Sequence, residues 1–170
     1  MGGQPSAAVA VLAAEGGRPR GSLLFEPGPG GLIVSGQFEG LVPGSSHGLH
    51  VHEFGDLREG FTSLGSHYNP SGHAHGGAAG AVRHAGDFGN VVADGRGVAV
   101  LRELHPELRL RDLFGRSVVL HAGPDDLGLG AGSLQAESRK NGNSGARLAA
   151  GVIGRAPYSS GGLAQSVSRR

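Results

Sequence analysis

Cysteine is absent from this 170-residue chain. No disulfide, thiolate ligand, thiol nucleophile or CxxC redox pair is open to it, and cysteine usage says nothing of its redox compartment. Aromatic residues make up 5%, with no tryptophan, and charged residues 17%. The charge nearly cancels, at +1 with histidine neutral, and no basic patch argues for nucleic acid. No apolar run nears the roughly 18 residues of a membrane helix. The start, Met-Gly-Gly-Gln-Pro-Ser, lacks the basic and apolar regions of a signal peptide, so a cytoplasmic location is expected. It fits the loose Met-Gly-x-x-x-Ser acylation pattern, which glycine-rich starts match by chance.

Glycine is abundant, with 34 copies, and it is interleaved with short apolar runs rather than set in a collagen period. Runs suited to strands lie at 7–12, 21–25, 32–38, 49–52, 89–93, 98–101, 117–121 and 148–153. Asp94-Gly95 stands between the fifth and sixth and reads as a hairpin turn. Residues 108–114 suit a short helix or an irregular crossover, and 122–147 form a second long loop. Eight short strands, two long excursions and no helical period describe an all-β, antiparallel Greek-key barrel or sandwich. One domain is expected over 1–170, with a core at about 7–155 and a mobile tail over 156–170.

The chemistry concentrates between Gly48 and Asp87. Leu49-His50-Val51-His52 alternates with the period of a half-buried strand, so His50 and His52 share one face. His67, His75 and His84 follow on a loop of Gly, Ser, Pro and Asn, read as ordered by what it binds. Asp87 closes the loop, and His121 ends a later strand. Imidazole suits copper and zinc, whereas calcium and magnesium need oxygen ligands. Three histidines and an aspartate match tetrahedral zinc, and four histidines match tetragonal Cu(II). Seven side chains are one too few for both, unless one imidazole serves two ions, and His67 lies between the groups. The plainer alternative is a histidine-rich loop that binds metal loosely or caps turns. His47 and His105 are expected at the surface.

Gly48-Leu49-His50-Val51-His52-Glu53-Phe54-Gly55-Asp56 resembles the copper-binding strand of the copper/zinc superoxide dismutases. Asn69-Pro70, His75-Gly76-Gly77 and the run from Arg83 to Val91 resemble their zinc loop. Gly115-Arg116-Ser117, Asp125-Asp126-Leu127-Gly128 and the run from Gly142 to Ala149 resemble the rest, over about residues 7–155. The resemblance implies a superoxide-dismutating enzyme. It implies copper on His50, His52, His67 and His121, and zinc on His67, His75, His84 and Asp87. His73 rivals His75, but Gly76-Gly77 follow His75 as the family pattern has it. The resemblance gives Asp125 a role linking a copper histidine to a zinc histidine, and Arg147 the role of the cation that guides superoxide. It makes His67 the bridge and proton carrier, and suggests a two-fold homodimer. The family's disulfide falls on Phe61 and Ala150, where a large and a small apolar residue can fill the same volume by packing. His67-Tyr68-Asn69-Pro70-Ser71-Gly72 also resembles the dismutase-like domain of the copper chaperone for that enzyme. Ser166-Val167-Ser168 stands near where such chaperones carry Cys-x-Cys, and without thiols copper transfer by that route is chemically closed.

Overall fold

The computed structural model describes residues 7–157; the expected tail beyond Pro157, Ser166–Ser168 and the Met-Gly start lie outside them. Short apolar runs bounded by glycine and proline give β1 (Ala7–Ala13), β2 (Arg20–Gly28) and β3 (Gly31–Glu39), which pair in sequence as an antiparallel meander. β4 is Ser46–His52, and a four-residue β5 (Arg58–Phe61) stands apart from the main sheet. β6 (Asp87–Val92), β7 (Ala99–His105), β8 (Ser117–His121) and β9 (Arg147–Ala156) complete it. The eight-stranded sheet runs in the order β6-β4-β8-β9-β1-β2-β3-β7 and curls into a nearly closed all-β Greek-key barrel. Residues 108–114 resolve as a single helical turn, α1 (Leu110–Leu113). The second long loop holds a helix that no apolar period announced, α2 (Gln135–Asn141). Among the described residues no helix is long and apolar enough to cross a membrane.

The expected hairpin at Asp94-Gly95 does not form. The turn itself closes, with Gly97 N–H donating to Asp94 O at 3.0 Å, but β6 pairs with β4 and β7 with β3, at opposite edges of the sheet. The β3–β4 connection wedges between them and takes the bonds a hairpin would have used. Leu41 N–H donates to Gly97 O, while Ser45 O accepts from Ala93. Leu41 itself is buried, so the wedge closes the end of the barrel with apolar surface.

The interior is filled by Phe25, Phe38, Phe88, Leu23, Leu49, Leu120 and Ile153, all fully buried. Each such side chain contributes about 1.5–3 kcal/mol by leaving water. A Cβ at Gly21 would collide with the Phe38 ring across β2 and β3, so glycine there makes room for the largest core side chain.

His47 and His105, expected at the surface, are both buried. His105 ends β7 and packs against Phe88 with its ring tilted by 40°, at a centroid distance of 4.3 Å. Its surroundings, rather than its polarity, decide its position: it packs over a core ring where the two sheet edges face each other.

Candidate metal centre

Strand pairing sets the first group of ligand atoms. β4 lies beside β8 with Leu49 opposite Leu120, and this brings His50 and His52 next to His121. The loop returns to β4 through backbone bonds: Tyr68 N–H to Val51 O at 2.8 Å, and Val51 N–H to Gly86 O at 2.8 Å. A bridge pairs His52 with His67. The loop is therefore ordered by its own backbone as well as by anything it binds. One nitrogen each from His50, His52, His67 and His121 lie within 4.8 Å of one another, all four side chains buried.

The second ring nitrogens show which atoms are free to face an ion. His50 Nε2 meets Asp125 Oδ2 at 2.8 Å, which leaves His50 Nδ1 without a partner. His52 Nδ1 donates to Gly65 O and His121 Nδ1 to Gly145 O, so their Nε2 atoms turn inward, 3.4 Å apart. His67 Nε2 is unpartnered, while its Nδ1 meets Asp87 Oδ1 at 2.9 Å. Orphaned buried nitrogens are costly unless something accepts their lone pairs. A soft or borderline cation fits this donor set.

Asp87 organises the second group. Its carboxylate lies 3.0 Å from His75 Nδ1 and 3.2 Å from His84 Nδ1, and His84 Nδ1 lies 3.3 Å from His67 Nδ1. His50, His67, His75 and Asp87 also cluster within 4.8 Å. The second nitrogen of His50 is committed to Asp125, so His84 is the better fourth member. His73 is exposed and pinned through its backbone by Asn69, which leaves His75 as the buried choice. Asp125 joins the two groups: Oδ2 to His50 Nε2, and Oδ1 to His75 Nε2 at 2.7 Å. Such outer partners fix imidazole tautomer and orientation.

Charge separates the groups. Burial pushes His50 down to about 3 and His121 down to about 4, and holds His52 well below the ordinary range. These imidazoles are neutral and offer lone pairs at pH 7. Burial also disfavours a charge on His75, but hydrogen bonds from Asp125 and Asp87 outweigh it and raise that group to about 9. Burial would raise Asp125, yet its bonds to His50 and His75 hold it at about 2. In Asp87 the bonds from His67, His75 and His84 overcome burial and keep the carboxyl far below its usual range.

A cavity of about 250 Å³ opens onto the first group, lined by His52, His67, His121, Lys140 and Arg147. The Arg147 guanidinium donates to Phe61 O and, at 2.5 Å, to Gly65 O. It is both a fixed cation at the cavity and a tie on the loop. Phe61 packs against Leu64, Val119 and Ala150, so the two positions expected to replace a disulfide share one apolar cluster. Sequence reading missed Lys140. It also missed Asn90, whose side chain clasps the backbone of Asp125 on both sides, and the Asp126 carboxylate, which ties Ser138 to Asn143. Asn90 and Asp126 carry no local signal for these roles, because the ties they make reach partners at least 12 residues away. Gly142 was visible only as a motif member. It has φ +70°, and a Cβ there would collide with Asp125 and His75.

A family model for copper/zinc superoxide dismutase matches residues 19–153. The extracellular Cu-Zn superoxide dismutase of Onchocerca volvulus is 48% identical over 157 residues, 89% of this chain and 77% of that protein. The copper chaperone for superoxide dismutase of Sus scrofa is 46% identical over 149 residues, 88% of this chain; the match spans only 53% of the chaperone. Among solved structures, the clock protein EA4 superposes with a TM-score of 0.83 at 40% identity, covering 92% of this chain and 99% of that one.

Proposed function

Since the chain belongs to the copper/zinc superoxide dismutase family, we propose that it is a superoxide dismutase, converting two superoxide ions and two protons to dioxygen and hydrogen peroxide. The observation that supports this reading best is the convergence of four buried imidazoles, three of which line one open cavity beside Arg147. In this reading His50, His52, His67 and His121 would hold copper, and His67, His75, His84 and Asp87 would hold zinc. Copper would supply one-electron chemistry, taking an electron from one superoxide and returning it to the next. His67 is bonded on the zinc side through Nδ1, so its Nε2 can hold a proton in one half of the cycle and release it in the other. Arg147 carries a charge at any working pH and has rigid donors, which suits attracting and aligning a small anion. Asp125 keeps His50 and His75 in the tautomers that present Nδ1 inward. A homodimer belongs to the same reading, and exposed Phe54 with Val152 beside Gly55 offers apolar surface for it.

The alternative is a copper-handling module without turnover, favoured by the similarity to the copper chaperone. A complete four-imidazole group counts against it, as does the absence of thiols. The test is elemental analysis after loading with both metals, followed by a dismutase assay. One copper and one zinc per chain with catalytic turnover is expected. Copper without zinc would sink the two-metal assignment, and loaded protein without turnover would leave the copper-handling module.

A further inference from the structure

The two groups of ligand atoms open in different directions. His52, His67 and His121 line the 250 Å³ cavity together with Lys140 and Arg147. His84 has no part in that cavity. It lines a separate groove of about 430 Å³, between the histidine loop and the segment after β7, with exposed His73 in the same lining. We propose that this groove is the route by which zinc reaches the buried group, and that His73 is a surface site that captures the ion and passes it to His84. The inference rests on the zinc reading of the second group and adds a residue that holds no ion in the finished site.

Charge favours this approach over the cavity. Lys140 and Arg147 stand on the cavity side, and both repel a divalent cation. Among the residues lining the groove, Arg83 is the one arginine or lysine. Its guanidinium donates to Asp87 O at 2.9 Å and pairs with the Glu107 carboxylate, so its charge is already balanced. Ala78, Gly80, Ala81 and Ala85 form much of the remaining wall, and their small size leaves room for an ion that still carries water.

His73 is held in place although it is exposed. Gly72 has φ +64°, and its N–H returns to Asn69 O at 3.3 Å, which closes a turn. The Asn69 side chain then clasps the next residue from both sides: its Nδ2 donates to His73 O at 2.8 Å, and its Oδ1 accepts from His73 N–H at 3.1 Å. Every bond in this clasp goes to backbone. Among the described residues the His73 ring has no hydrogen-bond partner, so its lone pair is free for an ion. Imidazole is a ligand that zinc accepts readily.

His84 forms the inner end of the route. Its Nδ1 lies 3.2 Å from Asp87 Oδ1 and 3.3 Å from His67 Nδ1, while its ring also meets the groove. An ion bound at His73 therefore has one imidazole between it and the Asp87 carboxylate. Rotation of that ring would carry the ion inward.

A capture site changes rates and leaves the equilibrium alone. Zinc uptake by metal-free protein, followed with an indicator dye in stopped flow, should slow on the order of fivefold in His73→Gln, a modest loss expected when an intramolecular transfer becomes a direct encounter. Zinc affinity should match the parent, so release into excess chelator must slow by the same factor. Copper uptake by the zinc-loaded protein should be unchanged. His73→Cys, kept reduced, should restore fast uptake, because a thiolate also binds zinc, and alkylation of that thiol should abolish the rescue. The proposal is overturned if His73→Gln takes up zinc as fast as the parent, or if His73→Cys does not rescue. It is also overturned if affinity falls with the rate, which would make His73 a lasting ligand, or if copper uptake slows equally, which would mean a general disturbance of the loop. A parent that binds no zinc at equilibrium would overturn the two-metal reading itself, and this inference with it.

Discussion

The two halves of the histidine cluster are built in different ways. His50, His52 and His121 ride on paired strands, meet a single carboxylate, Asp125 behind His50, and present His52 and His121 to an open cavity. His75 and His84 ride on a loop and are gathered around the Asp87 carboxylate, away from that cavity. The strand-borne half gets its geometry from sheet register, and burial keeps its imidazoles neutral even where Asp125 bonds His50. The loop-borne half has little regular backbone and takes its geometry from a buried charge. A strand site can be left open for a substrate, whereas a site gathered by an anion tends to be closed and structural.

The largest expected effect that would break this contrast is on pH. In the metal-free protein His50 and His121 are depressed, so they contribute stability that is present above the unfolded value near 6.5 and lost as pH falls toward about 3–4. His75 is raised, so its contribution is present below 6.5 and lost as pH rises toward about 9. Stability of the metal-free form should therefore peak near pH 6.5, losing on the order of 3 kcal/mol for each of these two histidines by pH 4. Urea unfolding across pH measures it, and a flat profile would mean that the two halves do not differ in charge as described.

Phe61→Ala should come next, through the loop that Phe61 and Arg147 together hold against the barrel. Phe61 is half-buried against Leu64, Val119 and Ala150, so its loss should cost about 2 kcal/mol, below the range for a fully buried ring. At this chain length that is a fall of about 4–8 °C in the melting temperature of metal-free protein. Ala150→Gly should cost less, and thiol reductants should change nothing, since there is no thiol or disulfide to act on. An unchanged melting temperature for Phe61→Ala would show that packing does not replace a covalent tie here.

Asp125→Ala sharpens the comparison, because this residue bonds one histidine of each half. Both metals should be held about 10–100-fold more weakly, and together. Competition against a chelator reads this directly; weakening of one metal alone would show that the halves are set independently.

Arg147→Ala tests the open side only. Dismutation should slow roughly tenfold and lose part of its salt dependence, because attraction of an anion is screened over about 10 Å at ordinary ionic strength. Arg147 also ties Phe61 O and Gly65 O, so the control is metal content, which should match the parent. Equal rates at low ionic strength would remove Arg147 from the role of guide.

The sequence alone determined the eight strands of the main sheet, though not the short β5, and named the candidate ligands. Alternation of apolar residues is a local property, and His50 and His52 share a face because side chains on a strand repeat every two residues. The choice of His75 over His73 came from the family resemblance, whose pattern places two glycines after the ligand, as Gly76-Gly77 follow His75. Only the tertiary structure decided what depends on partners distant in sequence. The Asp94-Gly95 turn closes as its residues demand, yet its strands part because the segment around Leu41 and Ser45 takes their bonds. α2 has no apolar stripe to announce it; its first turn holds Glu137 and its last turn Arg139 and Lys140, and its place over the site comes from bonds such as His75 N–H to Arg139 O. His47 and His105 are polar residues in sequence and buried ones in space. Burial is set by what the fold lays over a residue, and in the case of His47 that is a carbonyl 74 residues further along the chain.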